Sequence, residues 1–290
     1  MDANASTLRL TDVNALKALS RRYGIRPSKA QSQNFLLDRT VLQRTVAAAH
    51  CGAGDHILEI GAGFGTLTEA LLATGAEVTA FEIDERLSTA LRDRFRQQPH
   101  LRLIVGDFFR WFRSLTTDLG RHAYSIVSNL PYRASSLFFE TVLPSPHPPK
   151  TIIVLLQKEV AERIAAQPGS MSVLSLAVQI FGRPEILFHV PRTAFWPQPD
   201  VDSALLLVRQ ISPPAASPDG LFRLARMAFV QRRKQLHNSL QAGLRVTEKE
   251  VARILADCDL SPTIRPQELS CDQWWQLVRA VAQHEKKSKG

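Results

Sequence analysis

Asn129, Leu130, Pro131 and Tyr132 follow directly on the apolar run YSIVS. Those types in that order suit one task, gripping a flat heterocycle that carries an amine. The exocyclic amine of adenine is a poor nucleophile because its lone pair is delocalised into the ring. If the Asn129 carboxamide oxygen and the Leu130 carbonyl accept its two N–H bonds, the nitrogen can pyramidalise and aim its lone pair at an electrophilic carbon. No strong base is then required. Pro131 fixes its own φ and biases Leu130 toward an extended backbone, and Tyr132 offers a ring for stacking. Ser135 or Ser136 can cap the next helix, LFFETVL. Read by itself, the same run is also a plain proline turn between strand and helix.

Two further features lie on apolar runs of the same kind. ILEIGAGFGTLTEAL places Gly61, Gly63 and Gly65 between a strand and a helix, where a backbone can bend tightly and approach a ligand. The spacing is G-x-G-x-G, and Thr66 stands where a dinucleotide fingerprint has its third glycine, which weakens a pyrophosphate reading. Glu82, next to last in EVTAFEI and twenty-one positions after Gly61, is placed to accept from both hydroxyls of a ribose. Asp107 ends LRLIVGD, placed to accept from an adenine amino group. Singly, each has an ordinary structural reading as turn, cap or surface acid. Together they describe a pocket for an adenosine-containing cofactor without a pyrophosphate, and S-adenosylmethionine is such a cofactor.

These residues need strands that end along one edge. HILEI, EVTAFEI, LRLIVGD, YSIVSNL and TIIVLLQ alternate with helical spacing near 66–74, 85–97 and 158–167, which predicts βαβ units and a parallel sheet covered on both faces. ILFHV (186–190) and ALLLVRQ (204–210) could close it as an antiparallel pair. The class is α/β, doubly wound. The prolines and small residues of ISPPAASPDG, 211–220, predict a domain boundary. Beyond it the pattern is helical, and 221–240 reads as one helix. Leu221, Leu224, Ala225, Ala228, Phe229, Leu236 and Leu240 share one face of it, and Arg223, Arg226, Arg233 and Lys234 the other. The basic face can meet phosphates; alone, it is equally an amphipathic surface helix.

The chain has 290 residues and is 44% apolar, enough for a large domain and a smaller one. Its net charge of +9 divides into +4 over residues 1–40, zero over 41–210 and +5 over 211–290. A neutral middle between basic ends fits a catalytic core whose flanks hold a polyanion, and also fits a merely well-solvated surface. MDANASTLRL has no basic stretch followed by an apolar run, and the longest apolar runs are too short to span a membrane, which predicts a cytoplasmic protein. Cys51, Cys258 and Cys271 form no CxxC pair and the eight histidines are scattered, which predicts reduced thiols and no structural metal.

Taken in order, QNFLLD (33–38), EIGAGFGTLT (59–68), FEID (81–84), GDF (106–108), SNLPY (128–132), LQKEVAERI (156–164), FWPQPDVDSA (195–204) and FVQRRKQLHNSL (229–240) resemble the small-subunit (16S) rRNA adenine N6,N6-dimethyltransferases. The resemblance spans nearly the whole chain. It implies a Rossmann-like class I methyltransferase sheet with a smaller C-terminal helical domain. The parts would be a basic N-terminal arm (1–40), an S-adenosylmethionine-dependent domain (41–210) and a helical RNA-binding domain (211–290). It also implies that Asn34 and Leu36 line the cofactor site, with Gly61 under the methionine end, Glu82 on the ribose, Asp107 on the adenine and Asn129 shared with the target. Phe195 would stack on the target base opposite Tyr132. The implied reaction dimethylates N6 of two adjacent adenosines near the 3′ end of small-subunit rRNA, on the immature small subunit, by a monomer. Ser32 replaces the glycine usual before QNFL and resembles the enzymes that methylate large-subunit (23S) rRNA and confer macrolide resistance. Leu130, LQKEV and FVQRRK are closer to the small-subunit group. A non-catalytic RNA-binding assembly factor is disfavoured by the intact Asn129 turn, and a dinucleotide-dependent oxidoreductase by Thr66.

Overall fold

The computed structural model describes residues 10–27, 33–119, 123–230 and 234–287. In chain order its strands are β1 (Phe35–Leu36), β2 (His56–Ile60), β3 (Glu77–Glu82), β4 (Leu101–Val105), β5 (Tyr124–Asn129), β6 (Thr151–Gln157), β7 (Arg183–Val190), β8 (Phe195–Trp196) and β9 (Ser203–Arg209). One sheet has the order β4-β3-β2-β5-β6-β9-β7. The strands β4 to β6 of that order are parallel, and β9 runs antiparallel between β6 and β7. The expected closing pair is therefore present. Central strands are buried on both faces, which is why HILEI and TIIVLLQ read as continuous apolar runs rather than alternating ones. The order reverses between β2 and β5, and ligands of such sheets bind in the crevice beyond the carboxyl ends at that reversal. β2 runs there into Gly61, and β5 ends there in Asn129.

The chain divides into two compact units. One holds the residues up to Ala161 together with Arg183–Ile211, the other Glu162–Gly182 together with Ser212–Gly290. This differs from the sequence reading, which kept 162–182 with the sheet. Met171 and Leu176 of that segment are buried in one cluster with Leu221, Leu224 and Trp274. No proline-rich stretch separates it from β6, so composition gave no sign of the excursion. The described part of the N-terminal arm is likewise more than a basic tether. Leu10, Leu16, Ile25 and Phe35 bury against Phe64 and Leu87 of the sheet unit.

The single helix expected over 221–240 is two, Asp219–Phe229 and Leu236–Leu244. Gln235 is extended (φ −61°, ψ 147°), and the Leu236 N–H donates to the Ile264 carbonyl at 2.8 Å. All seven expected apolar positions are buried all the same. VQRRKQ contains no glycine or proline, so intrinsic propensity does not reveal the break. Phe229 stacks on the buried Trp274 with centroids 5.8 Å apart. Among the described residues no helix is long and apolar enough to cross a membrane.

Candidate active site

After β2 the chain passes through Gly61, Gly63 and Gly65 with φ of 72°, 58° and 84°, a left-handed region that side-chain-bearing residues rarely adopt. The Gly61 and Ala62 N–H groups both donate to the Phe81 carbonyl, at 2.8 and 3.0 Å, and tie the turn to β3. A Cβ on Gly63 would also stand 3.0 Å from the Phe35 ring. The Gly63 N–H donates to Glu82 Oε2 at 2.8 Å, and the Asp84 N–H donates to Glu82 Oε1 at 2.9 Å. Glu82 is thus buried at the tip of β3 with its carboxylate oriented by the backbone. Burial raises its pKa above the ordinary carboxylate value, against the lowering effect of the Asp84 and Gly63 N–H bonds.

A cavity of about 110 Å³ is lined by Asn34, Leu36, Gly61, Glu82, Asn129 and Tyr132, among others. Gly61, Ile83 and Pro131 also wall a second cavity of about 360 Å³, which Asp107 and Phe108 line as well. The structure therefore brings Asn34, Leu36, Gly61, Glu82 and Asn129 to one cavity and Asp107 to its neighbour. Asp107 Oδ1 accepts the Phe109 N–H at 2.9 Å, so the capping reading holds as well, with Oδ2 left over. The donor set suits S-adenosylmethionine. A buried carboxylate that can accept from a diol lines the first cavity, an acid lines the second, and the side-chain-free turn at Gly61 borders both.

At the end of β5, Asn129 Nδ2 donates to the Asn34 backbone carbonyl at 2.9 Å. A carbonyl can only accept, so the amide's orientation is set and Oδ1 is the end left to act as an acceptor. The Leu130 N–H donates to the Leu155 carbonyl at 3.0 Å, and the Pro131 carbonyl accepts the Ala134 N–H at 2.8 Å. Among the described residues the Leu130 carbonyl has no donor. Tyr132 shares a hydrogen bond of 2.8 Å with the fully buried Ser203 on β9, which fixes its ring. The ring lines the first cavity and a third, of about 330 Å³, with Asn34, Arg133, Gln157 and Asp200.

Phe195 is not brought to this place. It is 3% exposed, pairs with Leu36 in the β1–β8 ladder and lines none of the three cavities. The core reading prevails for it, because β8 turns its ring into the cluster around Leu36, Val190 and Leu205. In the helical unit Arg223 donates to Glu285 at 3.0 Å, while Arg226 and Lys234 are exposed. Arg233 and Ser32 lie outside the described residues.

The sequence reading overlooked two residues. Ile83, an apolar residue 68% exposed, rims both cofactor-side cavities; its signal was an isoleucine between the acids of FEID. Glu59 was visible as a charge inside the apolar strand HILEI. It is buried in the wall of the first cavity, and its Oε2 accepts from Thr68 Oγ1 at 2.6 Å. Burial is the main cause that raises its pKa from 4.5 to about 8. The folded chain therefore binds a proton that the unfolded chain has lost between those values, and stability falls as pH rises across that window. Glu59→Gln is expected to remove this slope. Urea unfolding without cofactor should show the variant gaining on the parent chain by roughly 4 kcal/mol between pH 4.5 and 8, with no further gain above. Parallel profiles would show that Glu59 is ionised in the fold.

A family model described as ribosomal RNA adenine dimethylase matches residues 26–282. The chain belongs to the ribosomal RNA adenine dimethylase family. Curated relatives include the ribosomal RNA small subunit methyltransferase A of Dehalococcoides mccartyi, 36% identical over 90% of each chain. The protein of the same name from Streptococcus equi subsp. zooepidemicus is 36% identical over 95% of this chain and 99% of its own. Among solved structures, a dimethyladenosine transferase from Plasmodium falciparum is 25% identical with a TM-score of 0.73, covering 87% of this chain and 98% of its own. The 23S rRNA methyltransferase ErmE shares the fold at 24% identity and a TM-score of 0.68, over 86% and 100%. The dimethylase family thus accounts for the class I methyltransferase sheet and the helical region after it.

Proposed function

We propose that this family member uses S-adenosylmethionine to dimethylate N6 of two adjacent adenosines near the 3′ end of small-subunit rRNA. The observation that carries the reading is the Asn129–Asn34 bond, which leaves Asn129 Oδ1 as an acceptor. When bound, the cofactor supplies a sulfonium-activated methyl group. The chain's own part is to hold the amine. Asn129 Oδ1 and the Leu130 carbonyl accept its two N–H bonds and draw the lone pair out of the ring plane. Tyr132, fixed through Ser203, provides the stacking face. Glu82 accepts from the ribose of the cofactor, Asp107 from its adenine, and Asn34, Leu36 and Gly61 complete the wall. Ile83 gives that nucleoside an apolar surface. Phe195 would join the stack only after leaving its present packing.

The choice of small-subunit rRNA is supported by relatives of that name at 36% identity over most of the chain. Arg226, Arg233 and Lys234 of the helical unit, with Arg223, are the proposed phosphate contacts, and 211–290 with 162–182 the RNA-binding part. We place the protein in the cytoplasm as a monomer acting on immature small subunits. Labelled S-adenosylmethionine, supplied with immature small subunits and separately with naked large-subunit rRNA, tests the reading. Label is expected in the first alone. Label in neither overturns the enzyme reading, and label only in the second moves the substrate to large-subunit rRNA.

A further inference from the structure

We infer that the cavity walled by Arg21, Arg26 and Arg86 is a seat for a backbone phosphate of the RNA substrate. The cavity measures about 510 Å³, and its wall is completed by Ser20, Gly24 and Ile25, with no carboxylate among them. Two separate elements supply the cations. Arg21 and Arg26 come from the end of the helix Val13–Arg22 and the turn after it, and Arg86 from the first turn of the helix Glu85–Arg94. Arg86 Nη1 donates to the Gly24 carbonyl at 2.6 Å, which clasps the two elements together and leaves the other guanidinium N–H groups available.

A guanidinium near a helix end often serves to cap it. Here the carbonyls of Leu19, Ser20 and Arg21 already accept the N–H groups of Tyr23, Ile25 and Gly24, at 3.0, 2.8 and 3.3 Å. Capping therefore does not account for the cluster. Among the described residues neither Arg21 nor Arg26 has a carboxylate partner, and both are exposed. Three like charges around one space repel, and an anion between them removes the repulsion. The Ser20 hydroxyl, buried in the same wall, has no hydrogen-bond partner among the described residues. The carbonyl end of the helix opposes an anion with about half a negative charge, which three guanidiniums exceed. Their planar N–H forks match phosphate oxygens in pairs. Leu87 of the same helix lines the first cavity, so the helix that presents Arg86 to the seat also borders the proposed cofactor site.

The inference rests on the proposed RNA substrate, and its test separates the two. A fluorescent small-subunit rRNA fragment carrying the adjacent adenosines is titrated with the full chain and with the R21Q/R26Q variant across a range of salt. The seat holds a single phosphate, so losing it should reduce the slope of log K against log salt by about one. Cofactor affinity and melting temperature should not change. An unreduced slope in a variant that folds and binds cofactor overturns the seat while leaving the methyltransferase reading intact. A parent chain that neither binds nor methylates the fragment overturns the substrate instead. In a second arm, inorganic phosphate is added to the parent chain. A saturable melting shift that the variant lacks, with an unreduced RNA slope, would assign the cavity to a free anion and overturn the RNA proposal.

Discussion

Asn129→Ala is expected to slow methyl transfer by about a thousandfold, with cofactor and RNA affinity changed only severalfold. The side chain serves two neighbours. Its Nδ2 holds the Asn34 carbonyl, and its Oδ1 is the acceptor proposed for the target amine. Alanine removes both, but the ground state loses only the first, one neutral hydrogen bond worth about 1 kcal/mol. The transition state loses the acceptor that lets the lone pair turn out of the ring. Single-turnover rates at saturating cofactor and RNA separate these effects from binding. Asn129→Asp sharpens the test, because a carboxylate keeps an oxygen for the amine yet has no N–H for the Asn34 carbonyl. It should be slow as well, since two oxygens then face each other and the side chain turns away. An alanine variant with the parent rate would show that the amine needs no such acceptor.

Glu82→Gln is expected to weaken cofactor binding by about a hundredfold, the loss of charge-assisted bonds to a diol. The substitution is not neutral in shape or polarity at this position. Both carboxylate oxygens accept backbone N–H groups, from Gly63 and Asp84, so an amide must point its NH₂ at one of them. The glycine turn is strained in the same step. The pH dependence has a definite sign. Burial raises the pKa of Glu82 in the free protein, whereas ribose hydroxyls donate to, and so favour, its ionised form. Binding is therefore linked to proton loss. Affinity should be flat above the raised pKa and fall by up to about tenfold per unit as pH drops through it. Calorimetric titration across pH should show that fall in the parent chain and none in the glutamine variant. Affinity within threefold of the parent would remove Glu82 from the ribose.

The parts of the site legible in the sequence were those fixed by one strand and the turn after it. Gly61, Glu82, Asp107 and Asn129 each follow or end an apolar run, and parallel strands deliver such positions to a common edge whatever the rest of the chain does. What escaped depended on pairings between distant segments. Phe195 was legible as an aromatic but not as a buried one, because its burial follows from the ladder joining β8 to β1. Glu59 showed as a misplaced charge, but its proton is held by burial, against the lowering effect of the Thr68 hydroxyl. The two helices within 221–240 kept the predicted apolar face while losing the predicted continuity, since periodicity records which side is buried and not where the axis turns. Ile83 was passed over because an exposed apolar residue acquires meaning only beside a cavity.

The interleaving of the two units has a consequence for synthesis and for dissection of the chain. Residues 162–182 leave the ribosome before β7 and β9 exist, while their partners Leu221, Leu224 and Trp274 emerge only after both strands. The nascent sheet thus carries an unpaired apolar insert for the time needed to translate the rest, and the helical unit closes last. A truncation at the proline stretch 211–220 would not release a clean catalytic half. It would strand Met171 and Leu176 without cover, so a soluble sheet fragment requires excising the insert as well as the tail.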